Sequence, residues 1–372
     1  MSNLINKKKI CFPFKSNSFG GSHKSSLILI EKLDKKIYEP IVVIHRKGIF
    51  EKYLIKKKIS YKILPLKHII GEHKGLINLF FSILHSSLKI LQFLKHEKIS
   101  VVHTNDIGMH LTWAIPTYLS KTKLLWHCRS FVPKWNLYKL FSIFPNNILC
   151  VSNFVKKSIP NFSKKKSYVI YDPVIFNFSN IKNSKKKFFK KNKYKNYNFI
   201  IGCVGNFSIQ KKTFDLILLA EKILQKTKKN ILFVLVGNDR DYKKKFLIKE
   251  INKRNMKKNF LILNNFKPIE VLLKLFDFTF APAENEGLGR VLIESISTKT
   301  PVIANNSGGH KEIVKSNFTG WLYKKNDIHE ASKIILNLVS RKKENFISNS
   351  AFNFIKNKFD YKKHVRKVVN FY

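Results

Sequence analysis

The sequence predicts an α/β fold made of two domains, each built around a parallel β-sheet with helices on both faces. Short apolar runs alternate with longer helical stretches along most of the 372 residues, and this alternation is the pattern of repeated β-α-β units. It is interrupted once, by a polar and basic stretch at residues 177–198. Because the length fits two domains of ordinary size, we expect domains at 1–175 and 199–350, joined by a linker at 176–198.

The strands of the first domain are predicted from their apolar runs. Ile10–Phe14 forms the first strand, and a Gly-Gly loop then leads into a helix from about Ser22 to Leu33. The remaining strands of this domain are expected at Ile41–Ile44, Tyr61–Leu64, Val101–His103, Leu124–His127, Ile148–Val151 and Tyr168–Tyr171. Several of the intervals are long enough for a helix, as parallel neighbours require.

The second domain begins with a new series of apolar runs at Phe199. In order, these strand-like runs read FIIGCVG, ILFVLVG, FLIL, FTFAPA, PVIAN and WLY. Most of them are separated by a helical stretch, so the second domain repeats the architecture of the first without repeating its sequence. The basic tail at 351–372 is predicted to be a helix that packs back toward the first domain.

The charge of the chain is strongly positive, with 71 Lys and Arg against 23 Asp and Glu and a formal net charge of +48. Such an excess suggests nucleic acid or an anionic membrane surface as a partner. It also follows from a general bias, because Lys, Asn, Ile and Phe are frequent together. Zinc-ligand pairs, an aromatic RNA-binding stripe and a heptad zipper are all missing. The sequence therefore disfavours nucleic acid as the partner.

The cysteines and the apolar segments indicate a cytoplasmic protein. The four cysteines form no C-x-x-C pair and are expected to be buried thiols in a reducing compartment. The N-terminus lacks the pattern of a signal peptide. The most membrane-like segment, Leu76–Leu94, is interrupted by His85 and Lys89, so we expect an amphipathic helix on a sheet.

The segment 284–314 contains most of the residues from which a ligand-binding site can be inferred. The apolar strand in FTFAPA is followed by a loop with the sequence EGLG and then by a helix. Glycines before a helix allow backbone N–H groups to approach an anion, which the helix N-terminus also favours. Glu286 in the loop and Glu294 in the helix can face one crevice beyond the strand ends, where open α/β sheets bind their ligands.

Glu286 and Glu294 are separated by seven residues, and the strings TPVIA, SGG, EIV and TGWL follow in order. This pattern resembles the E-x7-E signature of the retaining family 4 (group 1) glycosyltransferases, and the resemblance extends over nearly the whole chain. It implies the GT-B fold, in which two Rossmann-like domains face each other across a cleft. It also implies a catalytic role for Glu286 on the sugar hydroxyls, ribose binding by Glu294, and donor contacts by Gly287, Leu288 and Gly289.

Two further stretches resemble the diphosphate site of the same family. Gly20 and Gly21 match its Gly-rich loop after the first strand. The run VGNF followed by QKK resembles its G-R-L…K-G motif, with Asn206 in the place of the arginine. Either Lys211 or Lys212 would then supply the positive charge for the phosphate oxygens, and the sequence leaves open which one does so.

One histidine of the first domain also matches the family. The run LLWH resembles the strand whose terminal histidine lies close to the donor sugar, which makes His127 a catalytic candidate, with a core or capping role as the alternative. Arg129 and Asp106 are weaker candidates nearby. His310 follows a Gly-Gly pair at a position that varies in the family, so we expect it to be peripheral.

A metal is not expected. Asp239-Arg240-Asp241 spells D-x-D, a metal motif of the other major glycosyltransferase fold, but here it follows an apolar strand at the turn into a helix. The resemblance implies a transfer in which a lysine, backbone N–H groups and a helix start stabilise the leaving diphosphate. The donor would be a UDP- or GDP-sugar, and no cofactor is implied.

The acceptor is expected to be a glycan or a lipid-linked molecule, because the family commonly builds cell-surface polysaccharides and lipopolysaccharide. The Lys-rich first half fits docking on the anionic inner face of the cytoplasmic membrane. Two alternatives remain at this stage. One is a basic nucleic-acid-binding protein, and the other is a sugar-nucleotide epimerase on the same fold.

Overall fold

The chain forms two compact units in a computed structural model. The described residues are 7–17, 19–66, 76–132, 137–176, 197–264, 266, 269–341 and 349–372, with the side chains of 76–83 and 137–138 left out. One unit comprises Met1–Ile175 and Asp360–Tyr372, and the other comprises Phe176–Phe359. Most of the expected linker, 177–196, lies outside the described residues.

The first unit contains a parallel sheet of seven strands within the described residues. The strands are β1 Lys8–Phe14, β2 Tyr38–Ile44, β3 Tyr61–Ile63, β4 Val101–Thr104, β5 Lys123–Cys128, β6 Asn147–Cys150 and β7 Ser167–Val169. Their order in the sheet is β3-β2-β1-β4-β5-β6-β7. Its helices are α1 Gly21–Lys32, α2 Ile49–Lys56, α3 Leu76–His96, α4 Ile107–Leu119, α5 Leu137–Phe141, α6 Asn153–Ser158 and α7 Asn161–Lys164.

Strand residues of the first unit alternate between two cores, one on each face of the sheet. Ile10 and Phe12 of β1 pack into one apolar cluster together with α1, whereas Cys11 between them packs into another with α3 and α4. A period of two follows from the pleat of a strand. A parallel sheet that is covered on both faces therefore needs continuous apolar runs, which is why these strands could be located from the sequence.

The second unit repeats this plan. Its strands are β8 Phe199–Val204, β9 Ile231–Val236, β10 Phe260–Leu263, β11 Phe278–Ala281, β12 Val302–Asn305 and β13 Gly320–Tyr323. They are all parallel in the order β10-β9-β8-β11-β12-β13. Its helices are α8 Asp215–Leu224, α9 Lys244–Lys253, α10 Ile269–Leu273, α11 Arg290–Ser297, α12 His310–Ile313, α13 Ile328–Ser340 and α14 Asn349–Lys358, with a 3₁₀ turn at Lys257–Asn259.

The prediction of two parallel α/β domains is confirmed by these two sheets. Strand β9 shows the reason most clearly, because Ile231, Phe233 and Leu235 enter one core while Leu232 and Val234 enter the other. The four cysteines are free and buried, as expected.

The prediction of one helix for the tail is wrong. The chain forms α14 and then a separate helix, α15, at Tyr361–Val369. Asp360 breaks the helix because it takes an extended ψ of 130° and its carboxylate accepts a hydrogen bond from the Lys363 backbone N–H, as an N-cap does. Helix α14 belongs to the second unit, whereas α15 belongs to the first, where Val368 and Tyr372 join the core beside α1.

Candidate functional site

The strand orders create one crevice in each unit where ligands of α/β proteins bind. In the first unit the order reverses between β1 and β4, and in the second between β8 and β11. The loops after two such strands diverge and leave an opening at their carboxyl ends. Apart from Glu294 in α11, the sequence-predicted site residues lie at or after the carboxyl ends of β1, β4, β5, β8 and β11.

The loop between β11 and α11 in the second unit is held against a second glycine loop. The Gly309 N–H donates to the Glu286 carbonyl oxygen at 2.8 Å. A Cβ added to Gly309 would lie 2.4 Å from the Gly287 carbonyl oxygen, so the two backbones approach more closely than a side chain permits. Gly289 has a φ of +97°, which favours glycine. The Gly-Gly pair after β12 therefore serves to shape the loop that carries Glu286.

Glu286 is held by two basic side chains. Lys211, from the loop after β8, places its Nζ 2.5 Å from Glu286 Oε1. His310, at the start of α12, places its Nε2 3.4 Å from Glu286 Oε2, and its Nδ1 lies 3.1 Å from the Asn305 carbonyl oxygen. Both His310 contacts are with acceptor oxygens, and the tautomer of the ring decides which nitrogen donates. His310 is therefore part of this site, although the sequence placed it at the periphery.

The charge of Glu286 follows from this arrangement. Burial would raise the pKa of its carboxyl, but the charge of Lys211 and the hydrogen bond with His310 outweigh burial and hold the pKa well below its ordinary value. Its side chain is 23% exposed, so a ligand can reach this ionised hydrogen-bond acceptor. An ionised carboxylate suits hydrogen bonding to hydroxyl groups and does not suit general acid catalysis at neutral pH.

The structure separates the roles of the two neighbouring lysines. Lys211 pairs with Glu286, whereas Lys212 lies 3.3 Å from Glu284 Oε2 and donates to Asn326 Oδ1 at 2.7 Å. Lys212 has a φ of +48°, and this backbone turn sends consecutive side chains to different partners. Asn206 is exposed at the end of β8. Of the two lysines, Lys211 is therefore the one that lies beside Glu286.

Glu294 lies one turn into α11 and is buried, with 6% of its surface exposed. Its Oε1 lies 3.3 Å from an Arg290 guanidinium nitrogen, one turn earlier on the helix. The pair is of the i,i+4 type that forms readily on a helix surface. The sequence did not single out Arg290, and only its spacing from Glu294 could have drawn attention to it.

Asp215, the first residue of α8, lies near the charges of Lys212 and Glu284. Burial raises the pKa of its carboxyl to about 6, with Lys212 opposing the rise and Glu284 adding to it. The folded protein therefore disfavours the ionised form, and stability is lost as the pH rises from the ordinary carboxyl range through 6. We expect Asp215→Asn to stabilise the protein by about 1–2 kcal/mol above pH 6, after discounting for solvent screening, and to have little effect near pH 4.

Thermal melting of both proteins across this pH range tests the expectation. An Asp215→Asn protein that is less stable than the parent at every pH would show that the carboxylate is favoured in the fold. Asp327→Asn is the comparison, because Asp327 also opens a helix and caps it through the Glu330 N–H at 2.8 Å. That variant is expected to leave the stability nearly unchanged, because Asn caps a helix about as well as Asp does.

The predicted glycine loop of the first unit lies at the start of α1. Gly20 is the N-cap residue, and both it and Gly21 are exposed. His23, one turn into the helix, lies 3.2 Å from the Lys15 carbonyl oxygen and 3.4 Å from the Gly20 N–H. Burial lowers the pKa of His23, so a neutral ring supports the loop. An anion can reach the exposed N-terminus of α1, and helix N-termini favour negative charge.

Arg129, which follows β5, is held at this edge of the first sheet by two polar side chains. Its Nε donates to Asp172 Oδ1 at 3.1 Å, and its Nη1 donates to Asn105 Oδ1 at 2.8 Å. Asp106 caps α4 through the Met109 N–H at 2.8 Å. The sequence ranked Arg129 and Asp106 below His127, because spacing does not reveal which side chains are fixed at the edge of the sheet.

His127 is fully buried in the first unit. Its Nδ1 lies 3.3 Å from both His103 Nε2 and Arg129 Nη2, and its Nε2 lies 3.8 Å from Asp172 Oδ1. Burial, followed by the charge of Arg129, holds the pKa of His127 well below its ordinary value. In this geometry the neutral ring supports Arg129 and Asp172. A direct catalytic role for His127 stays a prediction.

Both carboxylates of the D-x-D sequence accept hydrogen bonds from nearby backbone N–H groups. Asp239 Oδ1 accepts from the Lys244 N–H at 3.0 Å, and Asp241 Oδ2 accepts from the Ile209 N–H at 2.9 Å. The two carboxylates thus shape the turn before α9.

Across the part of the chain that the structure describes, no helix combines the length and apolarity needed to cross a membrane.

Parts of the chain are similar to known glycosyltransferases. Residues 183–357 match the family described as "Glycosyl transferases group 1". The chain is 28% identical over 206 residues to an uncharacterised glycosyltransferase of Methanocaldococcus jannaschii, covering 52% of this chain and 50% of that protein. It is 29% identical over 184 residues to an Escherichia coli UDP-Gal:alpha-D-GlcNAc-diphosphoundecaprenol alpha-1,3-galactosyltransferase, covering 48% and 46%. The chain thus spans about half the length of these curated relatives.

The whole chain resembles a solved structure. Anabaena HepE in complex with UDP and glucose aligns with a TM-score of 0.81 at 18% identity, covering 98% of each chain. At this identity the likeness shows the fold. The two parallel-sheet units have the GT-B fold, and residues 183–357, slightly under half of the chain, match the group 1 glycosyl transferase family.

Proposed function

We propose that this protein transfers a sugar from a nucleoside-diphosphate sugar to an acceptor hydroxyl, with retention of configuration and without a metal. The observation that carries the proposal is the ionised Glu286 paired with Lys211 at 2.5 Å, where the strand order of the second unit reverses. A sugar phosphate presents hydroxyls and negative charge together. An accessible carboxylate beside an ammonium group is complementary to both.

The proposed chemistry assigns a separate task to each side chain. The bond between the anomeric carbon and the diphosphate oxygen breaks, and the electron pair leaves with the diphosphate. The acceptor hydroxyl oxygen forms the new bond to the anomeric carbon, and its proton passes to the departing diphosphate oxygen. Lys211 and the backbone N–H groups at the start of α11 stabilise this developing charge. Glu286 accepts hydrogen bonds from the sugar hydroxyls, and Glu294 accepts them from the ribose. Gly20 and Gly21, at the start of α1, are proposed as further N–H donors to a phosphate group of the donor.

The donor is proposed to carry uridine diphosphate. The solved structure of HepE contains UDP, and the name of the E. coli relative specifies UDP-Gal. A GDP-sugar is the alternative that the experiment below separates. The acceptor is proposed to be a glycan or a lipid-linked glycan of a cell-surface polysaccharide or lipopolysaccharide, since the E. coli relative acts on a diphosphoundecaprenol-linked sugar by name.

A thermal-shift panel tests donor binding. We expect UDP to raise the melting temperature of the parent protein more than GDP, ADP or CMP does, because ligand binding to the folded state stabilises it. Glu294→Ala should lose the UDP shift. Glu250→Ala is the matched control, because it breaks another i,i+4 pair with Arg254, at 2.6 Å, away from the site. It should keep the shift.

The same panel contains the contrary outcomes. A short RNA that shifts the parent and Glu294→Ala equally, with no shift from any nucleotide, would replace the proposal by nucleic-acid binding. Incubation with UDP-sugars separates transfer from epimerisation, because transfer and its hydrolytic side reaction release UDP. An epimerase would instead convert the intact UDP-sugar to its epimer.

A further inference from the structure

The first unit exposes a set of large apolar side chains at the amino-terminal ends of β5, β6 and β7. We name this surface the amino-edge patch and define it by five residues, each between 60% and 64% exposed: Tyr118, Leu119, Leu140, Ile143 and Phe162. Strands of a parallel sheet all run in one direction, so this edge lies opposite the carboxyl edge that carries Gly20 and Arg129. The patch is therefore separate from the candidate site.

Three of the five patch side chains line one groove. A groove of about 620 Å³ is lined by Tyr118, Leu119 and Ile143 together with Phe144. The Tyr118 and Phe144 rings meet edge to face, with centroids 5.6 Å apart. Ser142 and Ser163 place their Oγ atoms 3.0 Å apart, which fixes α7, and with it the exposed Phe162, beside the segment that carries Ile143.

The surroundings of the patch carry charge of one sign. Between Asp106 and Asp172 the sequence contains nine lysines, one arginine and no acidic residue. Lys121 and Lys166 line the groove itself. The Lys166 ammonium donates to the Ile143 carbonyl oxygen at 2.6 Å, so this cation lies directly at the apolar side chains.

Three kinds of partner can be compared by their chemistry. A second copy of the chain would bring lysines against lysines, which is repulsive. Nucleic acid would meet the lysines and stack on Tyr118 or Phe162, but the aliphatic majority of the patch, Leu119, Leu140 and Ile143, offers no ring on which bases stack. An anionic bilayer satisfies both features, because lysines attract its headgroups while aliphatic and tyrosine side chains enter its interface.

We propose that the amino-edge patch docks this protein on the surface of an anionic lipid bilayer. The five apolar side chains enter the interface, and Lys121, Lys139, Lys165 and Lys166 contact the phosphate groups. The inference goes beyond the proposed glycosyl transfer and does not rest on it, since no patch residue belongs to the site of either unit.

Co-sedimentation of the full chain with vesicles tests this proposal at physiological salt. We expect binding to vesicles of phosphatidylcholine mixed with phosphatidylglycerol, and not to vesicles of phosphatidylcholine alone. Combined substitution of Leu119, Leu140 and Ile143 by Ser should reduce the partition coefficient about tenfold or more. The matched control replaces three other exposed isoleucines, Ile37, Ile55 and Ile248, by Ser and should bind like the parent.

Two readouts keep this test separate from the test of the proposed function. The patch variant should keep the melting temperature of the parent and its UDP shift, because its substituted side chains are exposed. The proposal is overturned if the parent does not bind the mixed vesicles, or if the patch and control variants bind alike. It is also overturned if a short RNA displaces the protein from the vesicles while the Ser substitutions have no effect, because the lysines alone would then account for binding.

Discussion

Replacement of Glu286 by Gln should reduce the rate of sugar transfer by about three orders of magnitude, while UDP still binds. The change keeps the size of the side chain and removes the charge that pairs with Lys211 at 2.5 Å and lies 3.4 Å from His310 Nε2. A preorganised charged group at the reacting centre contributes about 10²–10³ in rate, and the freed Lys211 would also lose its fixed position. Steady-state transfer or UDP-sugar hydrolysis measures the effect, and the thermal shift with UDP reports binding.

Glu284→Gln is the matched control for this experiment. Glu284 lies two residues earlier in the same loop and pairs with Lys212 at 3.3 Å and with Lys325 at 2.5 Å. Its side chain is exposed to the same degree as that of Glu286, 23% in both cases. We expect a rate within about tenfold of the parent, as for a surface ion pair. Equal rates for the two variants would remove Glu286 from the catalytic machinery.

Gly309→Ala should destabilise the second unit by about 3 kcal/mol and abolish donor binding. The added Cβ would meet the Gly287 carbonyl oxygen at 2.4 Å and the Leu288 Cα at 2.7 Å. These are backbone atoms and cannot rotate away, so the loop that carries Glu286 must move. Overpacking of this kind costs about 1–3 kcal/mol, and about 3 kcal/mol corresponds to a fall in melting temperature of roughly 6–12 °C for a domain of this size.

Gly20→Ala provides the comparison in the first unit. No atom lies within 4 Å of the position that its Cβ would occupy, so the melting temperature should not change. Its UDP shift should fall if the exposed loop approaches the diphosphate as proposed. A Gly309→Ala protein that melts and binds UDP like the parent would contradict the assignment of the second glycine loop as the support of Glu286.

Much of the fold could be predicted because its strands are buried on both faces. Runs such as ILFVLV at 231–236 coincide with a fully buried strand in the structure, since a covered parallel sheet uses such continuous apolar runs. The tail was harder because α14 and α15 are both basic and amphipathic. The break at Asp360 depends on an N-cap hydrogen bond to Lys363, and the periodicity of the flanking helices does not show it.

Two assignments within the site depended on geometry that spacing does not encode. Lys211 and Lys212 are adjacent and identical in sequence terms, and the positive φ of Lys212 decides that Lys211 alone reaches Glu286. His310 was set aside because its position varies in the family. It reaches Glu286 because the preceding glycines let the two loops approach within backbone contact.

The sequence by itself determined the two-domain α/β plan, the resemblance to the group 1 glycosyltransferases and the two glutamates that carry it. These follow from local periodicity and from a motif whose spacing is fixed along one strand, loop and helix. Only the tertiary structure decided that His127 is buried beside Arg129, and that exposed apolar side chains meet at the amino edge of the first sheet. Burial and surface continuity depend on residues far apart in the chain, and their positions are fixed only when the sheets and helices pack.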